Sequence, residues 1–235
     1  MKLPPLTHAR LVKRYKRFLA DVVLDDGTET TAHVANSGAM LGMNAPGIEV
    51  WLSHSDNPKR KLAWSWELAH VDGGLVGINT SHPNAIAAEA IAAGMIPELV
   101  GYGSLRREVA YGKNSRIDIL LEDAGRPKCY VEIKNVHLKR GEAAEFPDAV
   151  TARGTKHLAE LSDMVAEGHR AVMLFLVQRQ DCRYFSPAAD IDPTYAEALR
   201  KAAAAGVELL CYACRLSLEE IVVADPLPLR IGKTD

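Results

Sequence analysis

The chain has 235 residues, is 48% hydrophobic and 25% charged, and carries a formal net charge of −2. These proportions belong to a globular protein with one large domain or two small ones. They exclude a global basic field, so any nucleic-acid binding must rest on local patches, and no apolar run approaches the about 20 residues that cross a bilayer.

Neither half is polarised: residues 1–82 carry nine Lys and Arg against eight Asp and Glu. The opening Met1-Lys2-Leu3-Pro4-Pro5 is followed by no apolar h-region, so a secretory signal is not expected. Cys211 and Cys214 are spaced as CxxC inside an apolar, strand-like run, with no second CxxC and no His pair nearby. Reduced thiols in a cytoplasmic protein explain them better than zinc.

Residues 1 to about 82 read as short strands. Arg17 to Leu24 leads into Asp25-Asp26-Gly27-Thr28, a hairpin turn, and then Glu29 to Val34. Gly47 to Ser53, Leu62 to Val71 and Leu75 to Ile78 follow. About five short strands with Gly-rich turns predict a small β-barrel. The pattern then changes. Ser81-His82-Pro83-Asn84 reads as a helix start, and Ala85 to Ala93 stops at Gly94. A strand near Arg107 to Tyr111 precedes Ser115-Arg116-Ile117-Asp118-Ile119 and Tyr130-Val131-Glu132-Ile133-Lys134, both strand-like, with a turn-like segment between them. A helix is predicted over Asp148 to Glu167, a buried strand over Ala171 to Val177, a helix over Pro193 to Ala205 and a last strand over Val207 to Cys214. From residue 84 the order is therefore α-β-β-β-α-β-α-β.

Side chains alternate along a strand, so Glu132 and Lys134 share one face while Val131 and Ile133 take the other. If the Asp118 strand pairs with this one, two carboxylates and an amine come within reach of one another. Mg²⁺ and Mn²⁺ prefer hard oxygen ligands, typically one or two carboxylates with water and substrate phosphate. Asp118, Glu132 and the Ile133 carbonyl could supply them, with Glu89 of the Ala-rich helix as a further ligand and Glu98 and Glu108 as lesser candidates. Lys134 would stabilise charge on a phosphate or help to activate a water. The competing reading is a salt-bridged cluster on a half-exposed sheet.

Lys13, Arg14, Lys16 and Arg17 form a basic run interleaved with Tyr15 and Phe18, the mixture that single-strand binders use. A solvated strand edge would look the same. Arg153, Lys156 and His157 fall on one turn of the long helix and could meet phosphates near its N-terminus, against a reading as ordinary surface charge. Arg106, Arg107, Lys113 and Arg116 add positive charge beside the carboxylates. Trp51, Trp64 and Trp66 read as barrel core or interdomain packing. His70, His82 and His137 have no ligand-like spacing.

Arg116-Ile117-Asp118 and Glu132-Ile133-Lys134, on this element order, resemble the PD-(D/E)xK nuclease superfamily, with Ile rather than Pro before the Asp. Longer stretches carry a closer resemblance. They are Asn36-Ser37-Gly38, Arg60-Lys61, Trp66-Glu67-Leu68, Gly77-Ile78-Asn79-Thr80, Pro83-Asn84, Ser115 to Asp118, Val131 to Val136, and Phe146-Pro147-Asp148-Ala149-Val150-Thr151-Ala152-Arg153-Gly154. Together they resemble the sugar fermentation stimulation protein A family, with Ser37 standing where Thr is more usual. The resemblance implies an OB-like β-barrel followed by a PD-(D/E)xK restriction-endonuclease-like α/β domain, and the change of pattern near residue 82 puts their bounds at 1–82 and 83–235. The resemblance also implies binding of double- or single-stranded DNA with little sequence preference, and a role in regulating sugar (maltose) metabolism genes. Three functions follow as alternatives: a Mg²⁺- or Mn²⁺-dependent DNA nuclease, a non-catalytic DNA-binding regulator, or a protein–protein adaptor. The oligomeric state is left open, a homodimer included.

Overall fold

The computed structural model describes residues 1–112 and 114–232; Lys113 lies outside the described residues. Six strands form the first sheet: β1 (Leu6–Tyr15), β2 (Leu19–Leu24), β3 (Glu29–His33), β4 (Glu49–His54), β5 (Trp64–Val71) and β6 (Gly74–Gly77). Their order is β3-β2-β1-β4-β5-β6, and a parallel pairing of β3 with β5 closes the first five into a barrel. Inward residues such as Leu11, Val22, Met40, Leu52 and the fully buried Trp66 fill it. Burying side chains of this size contributes about 1.5–3 kcal/mol each.

Strand β1 departs from the sequence reading, which started the first strand at Arg17. Residues 6–15 hold three cations and a His, and among their side chains only Ala9 and Leu11 are buried. The alternation is therefore hidden under long polar side chains on the outer face. Arg17 itself lies in the turn before β2.

The second body is a three-layer α/β/α arrangement. Helix α1 (Pro83–Ala92) and a 3₁₀ turn (Pro97–Leu99) precede β7 (Ser104–Tyr111), β8 (Ser115–Glu122), β9 (Cys129–Val136), β10 (Leu138–Arg140) and β11 (Ala143–Phe146). Then come α2 (Ala152–Ala166), β12 (Arg170–Val177), β13 (Tyr184–Pro187), α3 (Pro193–Ala204), β14 (Glu208–Leu216) and β15 (Ile221–Pro226). The main sheet has the order β15-β14-β12-β9-β8-β7. Its three central strands are parallel, and every residue of β12 after Arg170 is buried, as a strand covered on both faces requires. Helix α1 covers one face, α2 and α3 the other.

Helix α2 begins later than the sequence predicts. Thr151 is its N-cap, accepting from Gly154 N at 3.1 Å. Asp148, where the sequence places the helix start, turns its carboxylate to Met40 N (2.8 Å) in the barrel. The CxxC spacing cannot hold one ion. Residues three apart on a strand face opposite ways, and Cys211 and Cys214 lie in the two separate cores.

The two bodies are joined by more than the chain. Gly77 N donates to Gln178 O (2.9 Å), and the buried Arg179 reaches Asp72 at 2.8 Å. Trp51 and Leu75 of the barrel pack on the core beneath α1. Residues 1–3 pair with the 219–221 segment of the second body.

Candidate metal centre and nucleic-acid cleft

Strands β8 and β9 pair from Leu121↔Cys129 to Ile119↔Val131, and the ladder stops there. Beyond this point Asp118 takes the place of a ladder partner: its Oδ2 accepts from Ile133 N at 2.7 Å. The strands splay around that bond. Strand β9 stays fully paired to β12 on its other side, so the edge of residues 132–134 that β8 leaves unpaired is held in place.

Glu132 and Lys134 project from this edge toward α2, and Lys134 Nζ donates to Glu132 Oε1 at 2.8 Å. Glu132 is only 2% exposed. Its Oε1 also bonds His157 Nδ1 of α2. With His157 Nε2 accepting from Arg153 Nε at 3.3 Å, the proton sits on Nδ1. The other oxygen, Oε2, is buried without a hydrogen-bond partner among the described residues. A buried carboxylate oxygen left unpaired is costly.

Electrostatics separate the two carboxylates. Burial, then the nearby charge of Glu132, pushes Asp118 up to about 6, against the hydrogen bonds from Ile133 and Asn84. Burial also opposes charge on Glu132, but the His157 bond and the Lys134 ammonium overcome it, and its pKa lies below the ordinary value. Behind Glu132 the Tyr111 and Tyr195 phenols are kept protonated, first by burial and next by the Glu132 charge.

These groups open into a cavity of about 490 Å³ between the two bodies. Arg17, Asn36, Ser37, Gly38 and Thr80 line it from the barrel side. Asn84, Asp118, Glu132, Ile133, Lys134, Asp148 and Arg153 line it from the other. Three carboxylates and three cations thus share the walls. One divalent cation would tip that balance toward attraction of phosphate.

The residue set fits such an ion. The unpaired Glu132 Oε2, the Asp118 carboxylate with its raised pKa, and the Ile133 carbonyl are hard donors of the kind Mg²⁺ and Mn²⁺ take. Among the described residues no group of three or more His, Cys, Asp or Glu side chains is placed to hold a metal. Water and substrate oxygens would therefore complete the shell.

Glu89 is not brought to this site. Its carboxylate is 61% exposed and pairs with the Met1 ammonium at 2.7 Å. At about 100° per residue, position 89 lies about 140° around the helix from position 84. Asn84 faces the site instead, its Nδ2 donating at 2.8 Å both to Asp118 Oδ1 and to Glu108 Oε1. Glu98 accepts from Tyr212 OH, away from the cleft.

The predicted cations divide. Arg17 and Arg153 line the cavity. Arg14 does not: it turns inward and donates to the Arg17, Asn36, Gly38 and Ala39 carbonyls. Lys13 pairs with Asp21 at 3.5 Å and lies over the Tyr15 ring. Lys16 is exposed in the β1–β2 turn and Arg116 is exposed on β8. Lys156 donates to Ser115 Oγ (3.0 Å) and pairs with Glu160 (3.4 Å). Arg106 is tied to Glu122. His157 and Asn84 are the site residues that sequence reasoning left without these roles. The i, i+4 spacing of Arg153 and His157 is the signal that links His157 to the cleft.

A family profile described as "Sugar fermentation stimulation protein RE domain" matches residues 81–220, and one described as "SfsA N-terminal OB domain" matches residues 12–78. The chain belongs to the sugar fermentation stimulation protein family. A homolog of that name from Paramagnetospirillum magneticum is 67% identical over 225 residues, covering 96% of this chain and 95% of the relative. One from Rhodospirillum centenum is 63% identical over 231 residues, covering 97% and 99%. The solved structure of Pyrococcus furiosus SfsA in complex with Ca²⁺ is 28% identical, covers 98% of each chain and superposes with a TM-score of 0.89. In this family's terms the barrel is OB-like and the α/β body is restriction-endonuclease-like. Among the described residues no helix is long and apolar enough to cross a membrane.

Proposed function

We propose that the protein binds DNA and hydrolyses its phosphodiester bonds with a divalent cation, Mg²⁺ or Mn²⁺. Asp118, Glu132 and the Ile133 carbonyl would hold the ion, and Glu89 is left out of that set. The observation that carries this reading is the buried, unpaired Glu132 Oε2 beside Asp118 and Lys134 at the floor of an interdomain cleft. The Ca²⁺ complex of the Pyrococcus furiosus relative supports divalent binding. When bound, the ion would polarise the phosphate and lower the pKa of a water.

The chain's own residues do the rest. His157 holds Glu132 in a fixed rotamer and keeps it ionised. Asn84 and Ile133 N orient Asp118. Lys134 would stabilise the negative charge that builds up on the attacked phosphate. Arg17 and Arg153 supply phosphate contacts without reading bases, which fits binding with little sequence preference. Cations on both walls favour a nucleic acid over a protein–protein adaptor.

The test is incubation of purified protein with plasmid, linear and single-stranded DNA, with Mg²⁺ or Mn²⁺. Cleavage is expected, and it should vanish in Asp118→Ala and Glu132→Ala. Cleavage that survives both substitutions would come from a contaminant and sink the proposal. Binding that weakens steeply with salt but never leads to cleavage would leave the regulator of sugar metabolism genes as the function.

A further inference from the structure

The β1–β2 turn is built at a conformational cost. Lys16 and Arg17 both adopt left-handed backbone, with φ of 49° and 63°. Successive positions with positive φ normally fall to Gly or Asn, which take that conformation far more easily. Here two cations occupy it, followed by Phe18, which is 47% exposed. The turn is also braced. Arg14 Nε donates to the Arg17 carbonyl at 3.1 Å, and its other N–H groups reach Asn36 O and Gly38 O, each at 2.9 Å. Asp148 of the α/β domain in turn holds the same 36–40 loop, through Met40 N. Strained backbone that its surroundings hold in place clusters at functional sites.

This bracing sets Arg17 on the wall of the cavity that contains Asp118, Glu132 and Lys134. Next to Arg17 in the same turn, Phe18 leaves an aromatic residue open to solvent. On the opposite wall Val150, 76% exposed, offers an apolar surface at the rim. A cation with an exposed aromatic neighbour at the edge of a cleft suits an unpaired strand, whose free bases stack on aromatic faces.

We propose that the cleft takes a single unpaired DNA strand, passing between the barrel turn and the nuclease-like sheet, with Arg17 holding a backbone phosphate next to the scissile one. This rests on the DNA-cleaving reading above and names its substrate as single strands, overhangs and frayed ends. It also makes the barrel part of the reaction site rather than a separate binding module.

The test is fluorescence anisotropy with the full-length protein, in EDTA and again with Ca²⁺, the ion of the Pyrococcus furiosus complex. Three labelled probes are compared: a single strand, the same strand in a blunt duplex, and that duplex with a single-stranded overhang. The single strand and the overhang should bind about tenfold or more tightly than the blunt duplex. Arg17→Gly should weaken single-strand binding about tenfold and lower the slope of log affinity against log salt by about 0.7. Its melting temperature should hold or rise, because glycine relieves the turn. Equal or tighter binding of the blunt duplex overturns the strand assignment alone. Unchanged binding by Arg17→Gly, or weaker binding with a lower melting temperature, overturns the role of Arg17. Failure of all three probes to bind overturns the DNA reading on which the proposal rests.

Discussion

At the scale of single residues, the site is held against its own electrostatics. Asp118 is raised to about 6, above an unfolded value near 3.9, so the folded state keeps a proton that the unfolded chain has released. Its ionisation therefore opposes folding. The penalty is absent below about pH 4, grows between about pH 4 and 6, and is fully present above that. Asp118→Asn keeps an acceptor for Ile133 N and removes the charge, while setting its amide NH2 against Asn84 Nδ2, which offsets part of the gain. At pH 7.5 and without metal it should stabilise the protein by on the order of 2 kcal/mol. Urea midpoints measured at pH 7.5 and below pH 4 check this: the gain should fade at the lower pH. A variant no more stable than the parent at pH 7.5 would contradict the geometry. Asp118, Glu132 and Lys134 were legible as residue types at a spacing. That Asp118 caps the open ladder at Ile133 N was not, because the point where two strands part depends on their tertiary neighbours.

At the scale of elements, the decisive contact is between α2 and β9. The His157 ring reaches from the second turn of the helix to Glu132, and Arg153, one turn earlier, fixes its tautomer. Partners of this kind typically change metal affinity 10–100-fold when removed. His157→Ala should therefore weaken Mn²⁺ binding by that factor, as titration calorimetry would measure. His157→Asn, which keeps a donor near Nδ1, should recover most of it. Equal affinities for the two variants would show that the bond to Glu132 does not matter. In the sequence this helix was visible through its apolar stripe, and its basic first turns were visible as charge. The inward turn of His157 was not, because burial of a polar face becomes favourable only once a buried carboxylate lies opposite. Strand β1 was missed for a related reason: three cations and other polar side chains mask two buried residues. Glu89 was misplaced because helical rotation separates it from Asn84, and only docking of α1 decides which of the two faces the sheet.

At the scale of the whole molecule, the cleft exists because the barrel and the α/β domain are locked in one orientation. Gly38 lies against Asp148, and a Cβ there would stand 2.6 Å from both carboxylate oxygens. Gly38→Ala should displace Asp148 from Met40 N and His137. Overpacking of this kind costs about 1–3 kcal/mol. Chemical denaturation would measure that loss, and DNA affinity should fall in the same variant because Arg14 ties the Arg17 turn to the Gly38 loop. A Gly38→Ala protein with unchanged stability and affinity would show that the latch carries no load. Several stretches that carry the family resemblance meet at this junction: Asn36-Ser37-Gly38, Thr80, Pro83-Asn84 and the 146–154 block all contribute to the cavity wall. By itself the sequence determined the two-body organisation, the element order and the carboxylate-lysine set, because alternation, helical period and turn chemistry are local properties of the chain. Only the tertiary structure decided that Arg17 meets that set while Glu89 does not, and that Arg14 is structural. Those outcomes depend on how two separately folded surfaces dock, and no local pattern in the chain encodes that.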